Sequence, residues 1–143
     1  MLITVPLHVM LPRKTKPARR IALDQNTFHH VDRFTFNESK IQFGRLVHEQ
    51  LQSYKDTIGC PWDAPVELIF IYFNWQRRLS DLSNHCVIVD KFFSDCLVNE
   101  WIITADDYLH VKEVKYKYGW YSKNNPHIDI YIQRLTNDTT RIS

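Results

Sequence analysis

The chain has 143 residues, 44% of them hydrophobic, so it is one ordinary domain in length with enough apolar material for a core. Three glycines and six prolines exclude a collagenous or low-complexity chain, and the apolar share excludes a disordered tail. Eighteen Lys and Arg against sixteen Asp and Glu leave +2 overall, yet residues 80–107 alone hold six acids and one base, a local net of −5. An acidic island in a basic background calls for a reason beyond solubility.

Residues 2–9 are rich in β-formers and stop before Pro12, which predicts a first strand. Pro6 removes one ladder donor and places that strand at an edge or a bulge. Residues 13–20 carry Arg13, Lys14, Lys16, Arg19 and Arg20 with no acid, and read as a basic, mobile arm. Residues 21–34 read as irregular connection. Thr35 and Glu38 have capping-box spacing, and Phe43, Leu46, Val47, Gln50, Leu51 and Tyr54 follow a helical rhythm that Gly59 and Pro61 end.

Residues 66–74 are almost continuously apolar, as in a central strand covered on both faces. A basic turn with Arg77 and Arg78 follows. Residues 82–101 read as a second helix with Ser80 or Asp81 as its N-cap. Residues 108–118 and 127–133 read as two further strands, the last with Ile128, Ile130 and Ile132 alternating with polar positions. The tail from Thr136 is polar and expected to fray. The order β-α-β-α-β-β predicts a single two-layer α/β (α+β) domain with a mixed sheet.

Cys60, Cys86 and Cys96 cannot pair completely and lack zinc-type spacing, which fits a reducing compartment. No stretch has the makings of a signal peptide or a bilayer span, so a soluble, cytoplasmic protein is expected.

On a helical wheel, Leu82, Cys86, Val89, Phe93, Cys96 and Leu97 share one face, expected to be the core face. Asp81, Asn84, Lys91 and Asp95 lie opposite, with Ile88 among them, and Asp90 falls near the border. Asp106 and Asp107 come just before the next strand and are positioned, in this reading, to swing back toward Asp81. Carboxylates converging with a lysine suit Mg²⁺, which takes hard oxygen ligands, and such an ion stabilises charge on a phosphate in transit. The plainer reading of the same acids is a solvated helix face.

These residues resemble the RusA family of Holliday junction resolvases, found in bacteria and phages. The family's Asp-x-Asp-Asn motif, its lysine followed by Asp-Ala-Leu, and its strand-opening Asp-Asp pair read here as Asp81-Leu82-Ser83-Asn84, Lys91 with Asp95-Cys96-Leu97, and Asp106-Asp107. The likeness covers residues 66–133. It implies a Mg²⁺-dependent endonuclease for branched DNA, with Mn²⁺ able to substitute, acting as a homodimer on a four-way junction in a bacterial or phage-infected cell. Asp81 and Asp107 would then be metal ligands, Asp106 a ligand or its neighbour, and Lys91 the catalytic lysine. Asn84 would orient ligands or cap the helix, and Asp95 would pair with Lys91. Ser83 departs from the family, which has an aspartate there, and Asn84 and Lys91 stand seven apart where many members have three. Asp90 or Asp106 is a candidate to replace the missing carboxylate. The alternative is a non-catalytic branched-DNA-binding relative, and a third is a phosphohydrolase of small substrates.

The arm at 13–20, with Arg77 and Arg78 and then Lys112, Lys115, Lys117 and Lys123, is the expected phosphate-binding surface. Trp75, Trp101, Trp120 and Tyr121 are read as core or dimer packing, with stacking on unpaired bases as the alternative. His29 and His30 read as loop histidines.

Overall fold

A computed structural model describes residues 1–76 and 81–135. The chain is a small mixed α+β domain whose central sheet has four strands, and its layers follow from where the apolar runs fall. The expected first strand divides at Leu7 into β1 (Leu2–Pro6) and β2 (His8–Leu11). Its two halves serve different sheets. β1 takes the edge of the main sheet, as Pro6 suggested, while β2 pairs antiparallel with β3 (Arg19–Ala22) in a separate hairpin. The arm at 13–20 is therefore the turn of that hairpin and the start of β3. Val9, Leu11 and Ile21 are buried at its foot, so it stands on the core.

The stretch expected to be irregular also holds a short helix, α1 (Gln25–Phe28), capped by Asp24. The long helix α2 (Arg33–Ile58) begins before the predicted capping box. Asp32 is the N-cap, and its Oδ1 accepts the Thr35 N–H at 2.7 Å, so Thr35 lies inside the first turn and is buried. Gly59 ends α2 at φ 66, the left-handed conformation that favours glycine. Phe43, Val47 and Leu51 of the predicted rhythm are buried, while Leu46 is exposed. Gln50 turns inward for a polar reason. Its amide accepts from Thr4 N–H and donates to Thr4 C=O, both at 3.0 Å, so it closes the free edge of β1 as a neighbouring strand would.

β4 (Val66–Phe73) is central as expected, parallel to β5 (Val111–Tyr118) and antiparallel to β6 (His127–Arg134), in the order β1-β6-β4-β5. Val66, Leu68, Phe70 and Tyr72 are buried, whereas Ile69, Ile71 and Phe73 are only half-buried. The helices cover one face of the sheet, not both. β5 starts three residues later than expected because Asp107 folds residues 107–110 into a turn: its Oδ1 accepts the N–H groups of Leu109 and His110.

α3 (Leu82–Asn99) is the second predicted helix, shorter by two residues. Its chain reverses at Trp101, φ 61, where Trp101 N–H donates to Val98 C=O. The buried side of α3 is broader than the wheel predicts, because Ile88 and Phe92 are buried as well. α3 lies between the sheet and the other helices: Phe93 meets Phe70 edge-on, while Phe92 packs against Phe28, Phe36 and Phe43. Cys86 and Cys96 are buried free thiols, as expected, and burial pushes both up to about 12.

Candidate nucleic-acid interface

The acidic island does not converge on one point. Asp81 is the N-cap of α3, and its Oδ1 accepts the Ser83 N–H at 3.0 Å. Lys91 lies ten residues further along the helix, about 15 Å by helical rise. Asn84 Oδ1 accepts the Asn26 N–H at 3.0 Å and so ties α3 to α1. Ser83 is exposed on the first turn.

Asp107 is engaged by its own loop. His110 Nδ1 is 2.6 Å from its Oδ1, and that bond, with the turn's N–H groups, holds the carboxyl below the usual carboxylate range. His110 Nε2 in turn meets Thr104 Oγ1 at 2.9 Å.

What the fold does gather is a groove of about 520 Å³ between α3 and β5, lined by Asp90, Lys91, Ser94, Asp95, Asp106 and Tyr108. Within it Asp95 pairs with Lys40 of α2 at 2.7 Å, not with Lys91 as expected. The Lys91 ammonium lies 5.0 Å from the ring centre of Phe36, a cation–π contact. Asp90 accepts from Tyr116 Oη at 2.6 Å and from Ser94 Oγ at 3.2 Å, and burial raises its pKa despite both bonds. The anticipated ligand set of Asp81, Asp106 and Asp107 therefore does not fit Mg²⁺. Among the described residues no three His, Cys, Asp or Glu are grouped to hold a metal ion. The reason is physical: helix rise separates Asp81 from the groove, and an aspartate beside free N–H groups serves as a cap.

The basic arm is built as a presentation device. Arg13, Lys14, Lys16, Arg19 and Arg20 are all exposed on the hairpin, and Arg13 Nε donates to Pro17 C=O at 2.8 Å across its turn. Arg77 and Arg78 lie outside the described residues. Lys115, expected at the interface, is engaged internally by Glu67 at 2.8 Å and Glu113 at 3.5 Å. Lys112, Lys117 and Lys123 are exposed. Trp75, Trp101 and Trp120 are exposed, so none of the three packs in the core of the single chain. His29 and His30 are exposed at the end of α1.

Beside the hairpin, at the C-terminal end of β4, lies a larger cleft of about 740 Å³. Arg20, His8, Tyr72, Trp75 and His85 line it. The chain after Gly119 crosses the end of β4, where Ser122 N–H donates to Asn74 C=O, and brings Asn124, Asn125 and Pro126 to the cleft. His85 stacks on Tyr72 with centroids 4.3 Å apart and planes 7° apart. Burial lowers the pKa of both His8 and His85. His8, Tyr72 and His85 carried no signal in the sequence, being far apart in the chain and on three different elements.

No protein-family model matches this chain, and no curated protein matches it. Among the described residues no helix is long and apolar enough to cross a membrane.

Proposed function

We propose that this protein binds branched DNA as a non-catalytic relative of the RusA-type resolvases its motif residues resemble. The observation that carries the reading is the hairpin: five exposed cations, no acid, on a β-ribbon whose foot is buried in the core. Cations held on an anchored ribbon lose less freedom on meeting a phosphate backbone than cations on a mobile tail. The non-catalytic part rests on what the expected ligands do instead, Asp81 as a cap and Asp107 as the partner of His110. A homodimer, implied by the same resemblance, has a face available in the half-buried side of β4 at Ile69, Ile71 and Phe73.

A second reading, a metal-dependent nuclease, is favoured by the groove, which places Lys91 beside Asp95 and Asp106. One experiment separates the two. Affinity for a labelled four-way junction and for a linear duplex is measured by anisotropy, and cleavage is followed in Mg²⁺ and in Mn²⁺. Tighter junction binding without cleavage is expected. Cleavage that Asp106→Asn abolishes moves the function to the groove, and equal or absent binding to both DNAs rejects the branched-DNA reading.

A further inference from the structure

The cleft at the end of β4 has the build of a nucleotide site. It lies at the carboxyl end of β4, beside the end of β1 and the chain that leads into β6, and its volume of about 740 Å³ suits a small ligand. One wall is aromatic: the half-buried His85 ring lies over the buried Tyr72, stacked parallel behind it, and Trp75, 55% exposed, stands at the same cleft. The polar lining is mostly uncharged. His8 and His85 are kept neutral by burial, so each ring offers one donor and one acceptor, as do the amides of Asn124 and Asn125. Asp24 is the one carboxylate among the lining residues, and its Oδ1 already accepts the Thr27 N–H at 2.7 Å. Arg20 supplies the positive charge.

Arg20 also belongs to β3 of the basic hairpin, which makes the cleft continuous with the cationic surface. We propose that the cleft receives one unpaired nucleotide of the bound DNA, its base against Trp75 and the Tyr72–His85 stack and its phosphate on Arg20. This rests on the DNA-binding reading and names the part of a branch that the protein holds. Aromatic rings take any base by its π-face, so the site selects an unstacked base over a paired one and not a sequence.

The test compares a duplex carrying a single-nucleotide bulge, the same duplex with an abasic residue at the bulge, and the unbroken duplex. The base-bearing bulge is expected to bind more tightly than the abasic one by roughly 5- to 150-fold, the equilibrium equivalent of stacking one base on an aromatic side chain. Trp75→Ala, at an exposed position, and His85→Ala should each bring that ratio toward one while leaving affinity for the unbroken duplex unchanged. DNA binding with equal affinity for both bulges, or a ratio that survives Trp75→Ala, overturns the proposal and leaves the DNA-binding reading standing. Binding to none of the three DNAs overturns both. A free deoxynucleoside 5′-monophosphate presents the same chemistry from another source. If it leaves bulge affinity unchanged at millimolar concentration the cleft is a strand site, and if it displaces the bulge the cleft is a metabolite site and the proposal falls.

Discussion

The two larger depressions described beside α3 differ in how they are made. The groove between α3 and β5 draws its charged residues from one helix and the loop after it, and its Asp90 and Asp95 carboxylates are engaged by Tyr116, Ser94 and Lys40. The cleft at the end of β4 draws on segments from Pro6 to Pro126, holds neutral histidines and one arginine, and opens beside the basic hairpin. Local acids mostly stabilise the helix and turns that carry them, while the residues that line the larger cavity meet only through the fold.

The largest expected effect is at the hairpin. Neutralising Arg13, Lys14, Lys16, Arg19 and Arg20 to Gln should flatten the dependence of log K on log salt by about 0.9 for every phosphate that goes unneutralised, so by roughly 4.5 in slope if all five touch phosphate. An unchanged slope in a salt titration would make the hairpin plain surface and remove the contrast between a binding side and a structural side.

Next in size is Asp81, which sharpens the same contrast from the acidic side. Because it is the N-cap of α3, its replacement by Ala should cost about 1 kcal/mol, and its replacement by Asn, which caps as well, far less. Chemical denaturation of both variants checks this. A metal ligand would behave differently, since Asp81→Asn would then remove activity while stability held.

The same division explains what could be read from the sequence. β4, α3 and β6 were legible to within a few residues because their apolar periods are long and local. The hairpin was not, because β3 is Arg-Arg-Ile-Ala with a single buried residue, too short a pattern to outweigh its charge. The wheel of α3 missed Ile88 and Phe92 because it assumes one covered side, and α3 is covered on two. At the candidate site, Lys91 and Asp95 share a groove, as their common place on the wheel suggested, and Asp90 and Asp106 join them there. Asp81 and Asp107 do not join it, since an aspartate that opens a helix or turn satisfies backbone N–H groups first. His8, Tyr72 and His85 come together only through β-pairing and helix packing that no local pattern encodes.

Asp90 tests whether the groove is structural by way of pH. Burial raises its carboxyl above the ordinary 3.8, so the folded state holds the proton more tightly than the unfolded chain does. The stability this contributes is fully present below pH 3.8 and is lost as pH rises through the raised value, leaving a buried charge at neutral pH. Asp90→Asn keeps an acceptor for Tyr116 and carries no charge. It should melt higher than the wild type at about pH 7, with the gap closing toward about pH 3.5. A variant less stable at neutral pH would mean that the ionised carboxylate is needed, which favours the ligand reading of the groove.

The smallest effect is at Asp95, where the two readings of the groove differ most cleanly. Its partner is Lys40 on α2 at 2.7 Å, and both side chains are part-exposed, so water and salt screen the pair. A double-mutant cycle of Lys40→Ala and Asp95→Ala should give a coupling of about 0.2–1 kcal/mol that shrinks in about 1 M salt, where the screening length falls to about 3 Å. In a structural groove that coupling is all Asp95 contributes, and neither Mg²⁺ nor Mn²⁺ changes it. In a metal-holding groove the carboxylate is shared between lysine and ion, so divalent cation weakens the coupling at constant ionic strength. Measuring the cycle with and without Mg²⁺ at matched ionic strength therefore distinguishes the two, and a coupling that falls only in Mg²⁺ would make Asp95 a metal ligand and not merely the partner of a lysine.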